Sequence, residues 1–112
     1  MKKILTSILL LVAVVASAQE VPSSFPRKFL IEHFTGDGCG NCPGGMAAMV
    51  EYIQNTTTPC IWVSHHYGYN EDEYTIPENA KIGKACGVSG APNMAMNRTK
   101  ITGTAIAFHP GY

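Results

Sequence analysis

Two cysteines three positions apart, Cys39 and Cys42, constrain this 112-residue chain more than any other feature. They lie between a mostly apolar run of strand length, residues 28–35, and a run with helical spacing that starts at Pro43. A cysteine pair with this spacing, at the junction of a strand and a helix, is typical of redox chemistry rather than of packing. We therefore treat the pair as the candidate functional centre and the other elements as its scaffold.

The composition indicates one small folded domain. With 46% hydrophobic and 14% charged residues the chain can form a core, and the low proportion of charge argues against disorder. The formal net charge is +0 and the chain has no basic cluster. We therefore expect no nucleic-acid partner.

The first 18 residues have the pattern of an export signal. Two lysines precede the apolar run 4–15, and the small residues 16–18 (Ala-Ser-Ala) provide a cleavage site. The apolar run is shorter than a membrane-spanning helix requires, so cleavage is expected rather than a permanent anchor. The mature protein, starting at Gln19, is then exported and has no integral membrane segment.

The mature chain is expected to begin with a flexible lead-in, residues 19–27, followed by a single domain over residues 28–112. The run 28–35 is continuous enough in apolar residues to predict a central strand buried on both faces. From Pro43 the apolar spacing predicts a helix to about residue 55. Its predicted core face comprises Met46, Met49, Val50 and Ile53.

The remaining pattern predicts a second strand at residues 60–66, a second helix over residues 77–86 and a left-handed helix end at Gly87. Residues 93–98 fit a third strand, and residues 104–108 fit a fourth that pairs with it as a hairpin. The strand–helix–strand start implies parallel neighbours joined by a right-handed crossover. The predicted fold is therefore α/β, with a small mixed sheet and flanking helices.

Three features in this order resemble the thioredoxin superfamily. They are a strand leading into Cys39-Gly40-Asn41-Cys42, a helix behind that motif, and Pro92 in the glycine-containing run before a later strand. The resemblance implies a thioredoxin-like fold in which Cys39 is the accessible attacking cysteine and Cys42 the buried resolving cysteine. It also implies a cis peptide bond before Pro92, with Ala91 and Pro92 lining a site for the substrate peptide.

A closer resemblance is to the outer-membrane-protein-28-related lineage of exported bacterial proteins and covers residues 28–98. The residues that carry it are Phe34-Thr35-Gly36, Cys39-Gly40-Asn41-Cys42-Pro43, the His65-His66-Tyr67-Gly68 region and Asn97-Arg98. It implies a periplasmic, outer-membrane-associated or extracellular location. The chain departs from the superfamily pattern at Gly38, where many members have an aromatic residue, and at His33, where they have a buried carboxylate. The superfamily's last helix is also missing, as in a truncated member.

Thiol–disulfide exchange needs a thiolate that attacks and a second thiol that displaces it. At a helix start, unpaired amides stabilise a thiolate on the first cysteine of such a pair. Pro43 has no N–H and disturbs the first turn if the helix begins near Cys39. We therefore expect a delayed or distorted first turn and a Cys39 pKa that is less depressed than at a regular helix start.

The first functional hypothesis is a protein thiol–disulfide oxidoreductase, with protein thiols and disulfides as partners and no cofactor. The alternative is a non-catalytic surface or periplasmic binding module in which the pair is only a structural disulfide. A third hypothesis is a metal site formed by the thiols with a histidine. Because neighbouring strand residues point to opposite faces, only one of His65 and His66 can join such a site, and we expect no metal.

Two further questions stay open at the level of sequence. Cys60 and Cys86 either form a second disulfide or remain free thiols, since their spacing in sequence does not define their geometry. His33 either shuttles a proton to the resolving cysteine or is a buried, hydrogen-bonded strand residue.

Overall fold

The structure of the protein is a computed structural model that describes residues 24–101 and 103–111. The predicted export signal, residues 1–18, lies outside these residues, as does the start of the predicted lead-in. Residues 24–27, the described part of the lead-in, are exposed and belong to no helix or strand.

The strands and helices follow the predicted order. They are β1 (Phe29–Thr35), α1 (Cys42–Asn55), β2 (Cys60–His66), α2 (Pro77–Cys86) and β3 (Asn93–Met96). The sheet has the order β2-β1-β3, with β1 parallel to β2 and antiparallel to β3. This confirms the predicted α/β fold with a small mixed sheet and flanking helices, an arrangement compatible with a thioredoxin-like domain.

β1 is covered on both faces, as its continuous apolar pattern predicts. Alternate residues of a strand point to opposite sides of the sheet. On one side Ile31 packs with Met49 of α1, and on the other side Phe34 packs with Cys86 of α2. Ile31 and Phe34 are both 0% exposed, so the core lies on the two faces of this strand.

A charged network occupies the α2 side of β1. Glu32 is only 1% exposed, and Arg98 donates to its two carboxylate oxygens at 2.8 and 2.9 Å. His65 Nε2 lies 3.1 Å from Glu32, and His65 Nδ1 lies 3.2 Å from Asn79. The hydrogen bond from Arg98 outweighs burial and holds the pKa of Glu32 below its ordinary value of 4.5. The carboxylate is therefore buried as a paired charge, the form in which burial is tolerated.

Fewer of the predicted core residues of α1 are buried against the sheet than the sequence predicts. Its buried residues are Cys42, Gly45 and Met49. Ile53 packs at the edge of the same cluster, but Met46 and Val50 are 44% and 38% exposed. The prediction that Met46 and Val50 belong to the core face was wrong, because the side that meets the three-stranded sheet is centred on Met49 and these two lie beside it.

α2 ends as predicted, whereas β3 is shorter than predicted. Gly87 has a φ of 75° and its N–H bonds to carbonyl oxygens at the end of α2. β3 stops at Met96 instead of residue 98, because Asn97 and Arg98 have φ values of 49° and 51°, which no strand can accommodate. This turn directs the Arg98 side chain to Glu32.

The predicted fourth strand at residues 104–108 was wrong. Only Phe108 pairs with β3, through two backbone bonds of 2.8 and 2.9 Å to Met94. Ala107 instead donates to the carbonyl oxygen of Cys86, so this segment bonds to the end of α2 as well as to β3. A segment that divides its backbone bonds between two elements cannot form a regular ladder.

Cys60 and Cys86 are both free thiols, so the predicted option of a second disulfide is wrong. Cys60 packs in the cluster around Ile31, and Cys86 packs in the cluster around Phe34. The two thiols therefore lie on opposite sides of the sheet. Burial raises the pKa of the Cys86 thiol, and the nearby charge of Glu32 adds to the effect.

We expect Arg98→Ala to lower the free energy of unfolding by about 2 kcal/mol, because it removes the charge-assisted hydrogen bonds that Arg98 donates to the buried Glu32. The matched control is Lys81→Ala, whose 3.9 Å pair with Glu78 is exposed and should contribute less than about 0.5 kcal/mol. Denaturant unfolding checks both values. Equal effects of the two substitutions would contradict the importance of the Glu32 network.

The same network predicts a pH dependence. Because folding lowers the pKa of Glu32, its contribution is fully present above pH 4.5 and is lost as the pH falls through the lower folded value. Unfolding curves between about pH 3 and pH 7 should show this loss in the unsubstituted protein and a weaker loss in Arg98→Ala.

Candidate functional site

Three loops meet at one edge of the sheet. β1 and β2 end at this edge because they are parallel, and β3 begins there because it is antiparallel to β1. The loops are residues 36–41 (the disulfide loop), residues 67–76 (the second loop) and residues 87–92 (the proline loop). The carboxyl ends of parallel strands are the usual position of functional sites in open α/β sheets.

The predicted cysteine pair is joined as a disulfide at this edge. Cys39 and Cys42 have a sulfur–sulfur distance of 2.04 Å and a Cα–Cα distance of 5.4 Å. Cys42 is 3% exposed, as expected for a buried resolving cysteine. Cys39 is only 6% exposed, so the expectation of an openly accessible sulfur was wrong for this disulfide state. Both residues line an open groove of about 430 Å³, together with Pro43 and Met46.

The start of α1 explains the local geometry of the pair. The helix begins at Cys42 with Asn41 as its N-cap residue, so Cys39 lies before the helix. The Cys42 N–H bonds to the Cys39 carbonyl oxygen at 3.1 Å, and Pro43 has no N–H to offer. The predicted delay of the first turn is confirmed. The smaller depression of the Cys39 pKa that we infer from it stays a prediction.

The proline loop packs against the same end of α1. The peptide bond between Ala91 and Pro92 is cis, as the family resemblance implies. A Cβ atom added to Gly45 would lie 2.7 Å from the Cβ of Pro92, so the two backbones approach closely. Gly45 comes three residues after Cys42, which places Pro92 beside the first turn of the helix that carries the disulfide. The peptide-binding role of Ala91 and Pro92 stays a prediction.

His33 is completely buried on the α1 side of β1. It lies edge-on to Trp62 with ring centroids 5.9 Å apart, and it is 0% exposed. Among the described residues, neither ring nitrogen has a hydrogen-bond partner, so the expectation of a hydrogen-bonded strand histidine was wrong. Burial, with a smaller contribution from His66, holds the pKa of His33 below its ordinary value of 6.5. The imidazole is therefore neutral at neutral pH.

Asp72 is a site residue that the sequence pattern did not identify. The acidic run 71–73 is typical of a solvated surface, yet the Asp72 side chain is only 9% exposed. Its Oδ2 accepts hydrogen bonds from His66 Nδ1 at 2.6 Å and from the Asp37 N–H at 2.7 Å. These bonds, the one to His66 first, hold the pKa of Asp72 well below its usual range.

The second loop also orients Asp72 from within. The Oδ1 atom of Asp72 accepts hydrogen bonds from the Tyr74 N–H at 3.0 Å and from the Thr75 hydroxyl at 3.1 Å. An aspartate followed three residues later by threonine is a local turn signal that could have indicated these bonds. No local signal predicts the bond to Asp37, which lies 35 positions away in the chain.

The two adjacent histidines of β2 serve different sides of the sheet. His65 contacts Glu32, whereas His66 contacts Asp72 near the disulfide loop. Within residues 24–101 and 103–111, no group of three His, Cys, Asp or Glu side chains has the geometry to hold a metal ion. In the same ranges no helix has both the length and the apolar character needed to cross a membrane.

Comparison with known proteins does not assign a family. No protein-family model matches the chain, and no curated protein matches it. Among solved structures, the crystal structure of protein AGR_C_4864 from Agrobacterium tumefaciens is similar to it, with 22% identity and a TM-score of 0.49. The match covers 79% of this chain and 41% of that protein, so this chain spans less than half of its length.

The contact between α1 and the proline loop gives a paired prediction. Gly45→Ala should lower the free energy of unfolding by about 1–3 kcal/mol, because the new methyl group meets Pro92 and Pro110 within 3 Å. Gly44→Ala meets no atom within 4 Å and should instead stabilise the helix by about 0.5–1 kcal/mol. Denaturant unfolding of the oxidised proteins measures the difference. Effects of the same sign and size would show that Pro92 does not lie against this turn.

His33 gives a prediction with a pH signature. Because folding lowers its pKa, the protein should lose stability as the pH falls below 6.5, where the unfolded chain takes up the proton first. His33→Leu removes this titration and two unpartnered buried nitrogens, so we expect a gain of about 1–2 kcal/mol and a flatter pH profile. Unfolding curves between about pH 5 and pH 7 check this. An unchanged profile would mean that His33 is already protonated or solvated.

Proposed function

We propose that this chain is an exported thioredoxin-like thiol–disulfide oxidoreductase related to the outer-membrane-protein-28-related lineage. The observation that carries the proposal is the Cys39–Cys42 disulfide at the sheet edge, where it lines an open groove. The buried cis Pro92 packs against Gly45 in the first turn of the helix that carries Cys42. The export signal pattern agrees with a compartment in which disulfides persist.

The reaction requires no cofactor. In the reduced protein the Cys39 thiolate attacks one sulfur of a substrate disulfide, forms a mixed disulfide and releases one substrate thiolate. The Cys42 thiolate then attacks the Cys39 sulfur, re-forms the Cys39–Cys42 bond and releases the second substrate thiolate. Two electrons pass to the substrate, and the reverse sequence oxidises a substrate dithiol. A protein thiol or disulfide is thus the partner in both directions.

The proposed order of attack is supported by the positions of the two cysteines relative to α1. Both residues are buried, but Cys39 lies before α1, whereas Cys42 is the first residue of the helix. We therefore assign the first contact with a substrate sulfur to Cys39, in the groove that Pro43 and Met46 also line. Ala91 and Pro92 are the proposed contacts for the backbone of the substrate peptide.

His33 is the proposed proton acceptor for the resolving cysteine. It lies on the side of β1 that faces α1, the helix whose first residue is Cys42. A neutral imidazole with free nitrogen atoms can accept the proton that the Cys42 thiol must lose before it attacks.

A second candidate function is a binding module that keeps the disulfide without turnover. The near-complete burial of both cysteines favours it, because a structural disulfide is best protected from exchange when its sulfurs are covered. The reduction potential separates the two candidates. We expect a value between about −270 and −120 mV, the range of working redox proteins, whereas a value below about −300 mV would identify a structural bond.

Trapping of the mixed disulfide tests the proposed order of attack. The Cys42→Ser protein, also carrying Cys60→Ser to remove the half-buried free thiol, should accumulate mixed disulfides with protein substrates. The matched Cys39→Ser protein with the same Cys60→Ser change should not, because it lacks the attacking sulfur. Non-reducing gel electrophoresis followed by reduction measures the adducts. Equal trapping by both proteins would refute the assigned roles.

A further inference from the structure

The backbone of the disulfide loop is bonded mostly within itself. The Gly38 N–H bonds to the side chain of Asp37 at 3.0 Å, and the Cys39 N–H bonds to the Gly36 carbonyl oxygen at 3.2 Å. Among residues 36–39 of the described chain, the Asp37 N–H makes the hydrogen bond that leaves the loop, and its acceptor is Asp72 Oδ2 at 2.7 Å. Asp72 therefore accepts the hydrogen bond that connects residues 36–39 to the second loop.

Asp72 is rigidly held before it meets the disulfide loop. His66 bonds to the same carboxylate at 2.6 Å, and His66 is the last residue of β2 and pairs in register with Thr35 of β1. Two further bonds from within the second loop orient the other oxygen. The sheet thus fixes His66, His66 fixes Asp72, and Asp72 fixes the backbone two residues before Cys39.

We propose that Asp72 is the positioning residue of the disulfide site and that its bond to Asp37 sets the reduction potential of the Cys39–Cys42 pair. The proposal deepens the oxidoreductase function proposed above and rests on it. Asp72 does not act on the sulfurs directly. It restricts the loop that carries Cys39, so that in the reduced protein the thiol stays within reach of Cys42.

The direction of the effect follows from effective concentration. A restricted loop raises the effective concentration of one thiol near the other, which favours the disulfide and lowers the reduction potential. When the restriction is removed, the reduced form gains conformational freedom and the disulfide becomes easier to reduce.

The experiment compares three substitutions in the mature chain. Asp72→Ala removes the acceptor for Asp37 and His66, whereas Asp72→Asn keeps one oxygen for the Asp37 N–H and loses the charge. Glu73→Gln is the matched control, because Glu73 is an exposed carboxylate in the same loop. Equilibration of each protein in glutathione and dithiothreitol redox buffers, followed by alkylation and mass spectrometry, gives the fraction of disulfide.

We expect Asp72→Ala to shift the thiol–disulfide equilibrium about tenfold toward the dithiol, which corresponds to about 30 mV. Asp72→Asn should shift it by less, and Glu73→Gln by less than about twofold. Two results would overturn the proposal. One is a folded Asp72→Ala protein within twofold of the unsubstituted protein, and the other is an equal shift by Glu73→Gln, which would leave only a general effect of charge.

A measurement on the unsubstituted protein keeps the proposal testable if both Asp72 variants fail to fold. In the oxidised protein the Asp37 amide proton should exchange with solvent at least about a hundredfold more slowly than that of Gly40, which makes no hydrogen bond among the described residues. Equal exchange rates would rule out the restraint.

Small-molecule redox buffers need no protein substrate, so the role of Asp72 is judged separately from turnover. If the Cys42→Ser protein trapped no substrate, the proposed oxidoreductase function would be refuted. The reduction potential of the Cys39–Cys42 pair would still respond to Asp72→Ala if the positioning role is correct.

Discussion

The burial of β1 between two strands and two helices is the constraint on which the rest of the structure depends. The residues of this strand face α1 and α2 in alternation, so a single segment contributes to the core on both sides of the sheet. Its two neighbours then run in opposite directions, and this brings the ends of β1 and β2 and the start of β3 to one edge. The candidate site lies at that edge, where the loops that follow β1 and β2 meet the loop that precedes β3.

Adjacent residues of β1 show two ways of burying an ionisable group. Glu32 keeps its charge because His65 and Arg98, which lies in the turn after β3, supply hydrogen bonds that replace water. His33 gives up its charge, because no described donor or acceptor reaches its ring. The paired group stabilises the α2 side of the sheet. The unpaired group leaves a neutral imidazole on the side of β1 that faces α1.

The disulfide site combines a weak helix start with a strong restraint from outside the helix. α1 begins only at Cys42, and Pro43 removes one of the amides that would otherwise stabilise a thiolate. The surrounding loops supply further contacts to this region. Asp72 holds the disulfide loop from the side of β2, and Pro92 packs against α1 from the side of β3.

Local signals in the sequence determined the elements and the cysteine pair, because periodicity, helix ends and turn residues act over a few positions. The bounds of β2 and α2 and the left-handed Gly87 follow from such signals. Only the tertiary structure decided which side of α1 is buried, and only it placed Cys60 and Cys86 on opposite sides of the sheet. It also brought Asp72 to Asp37 across 35 positions. Such pairings depend on how the elements pack together, and no pattern within a single element records that packing.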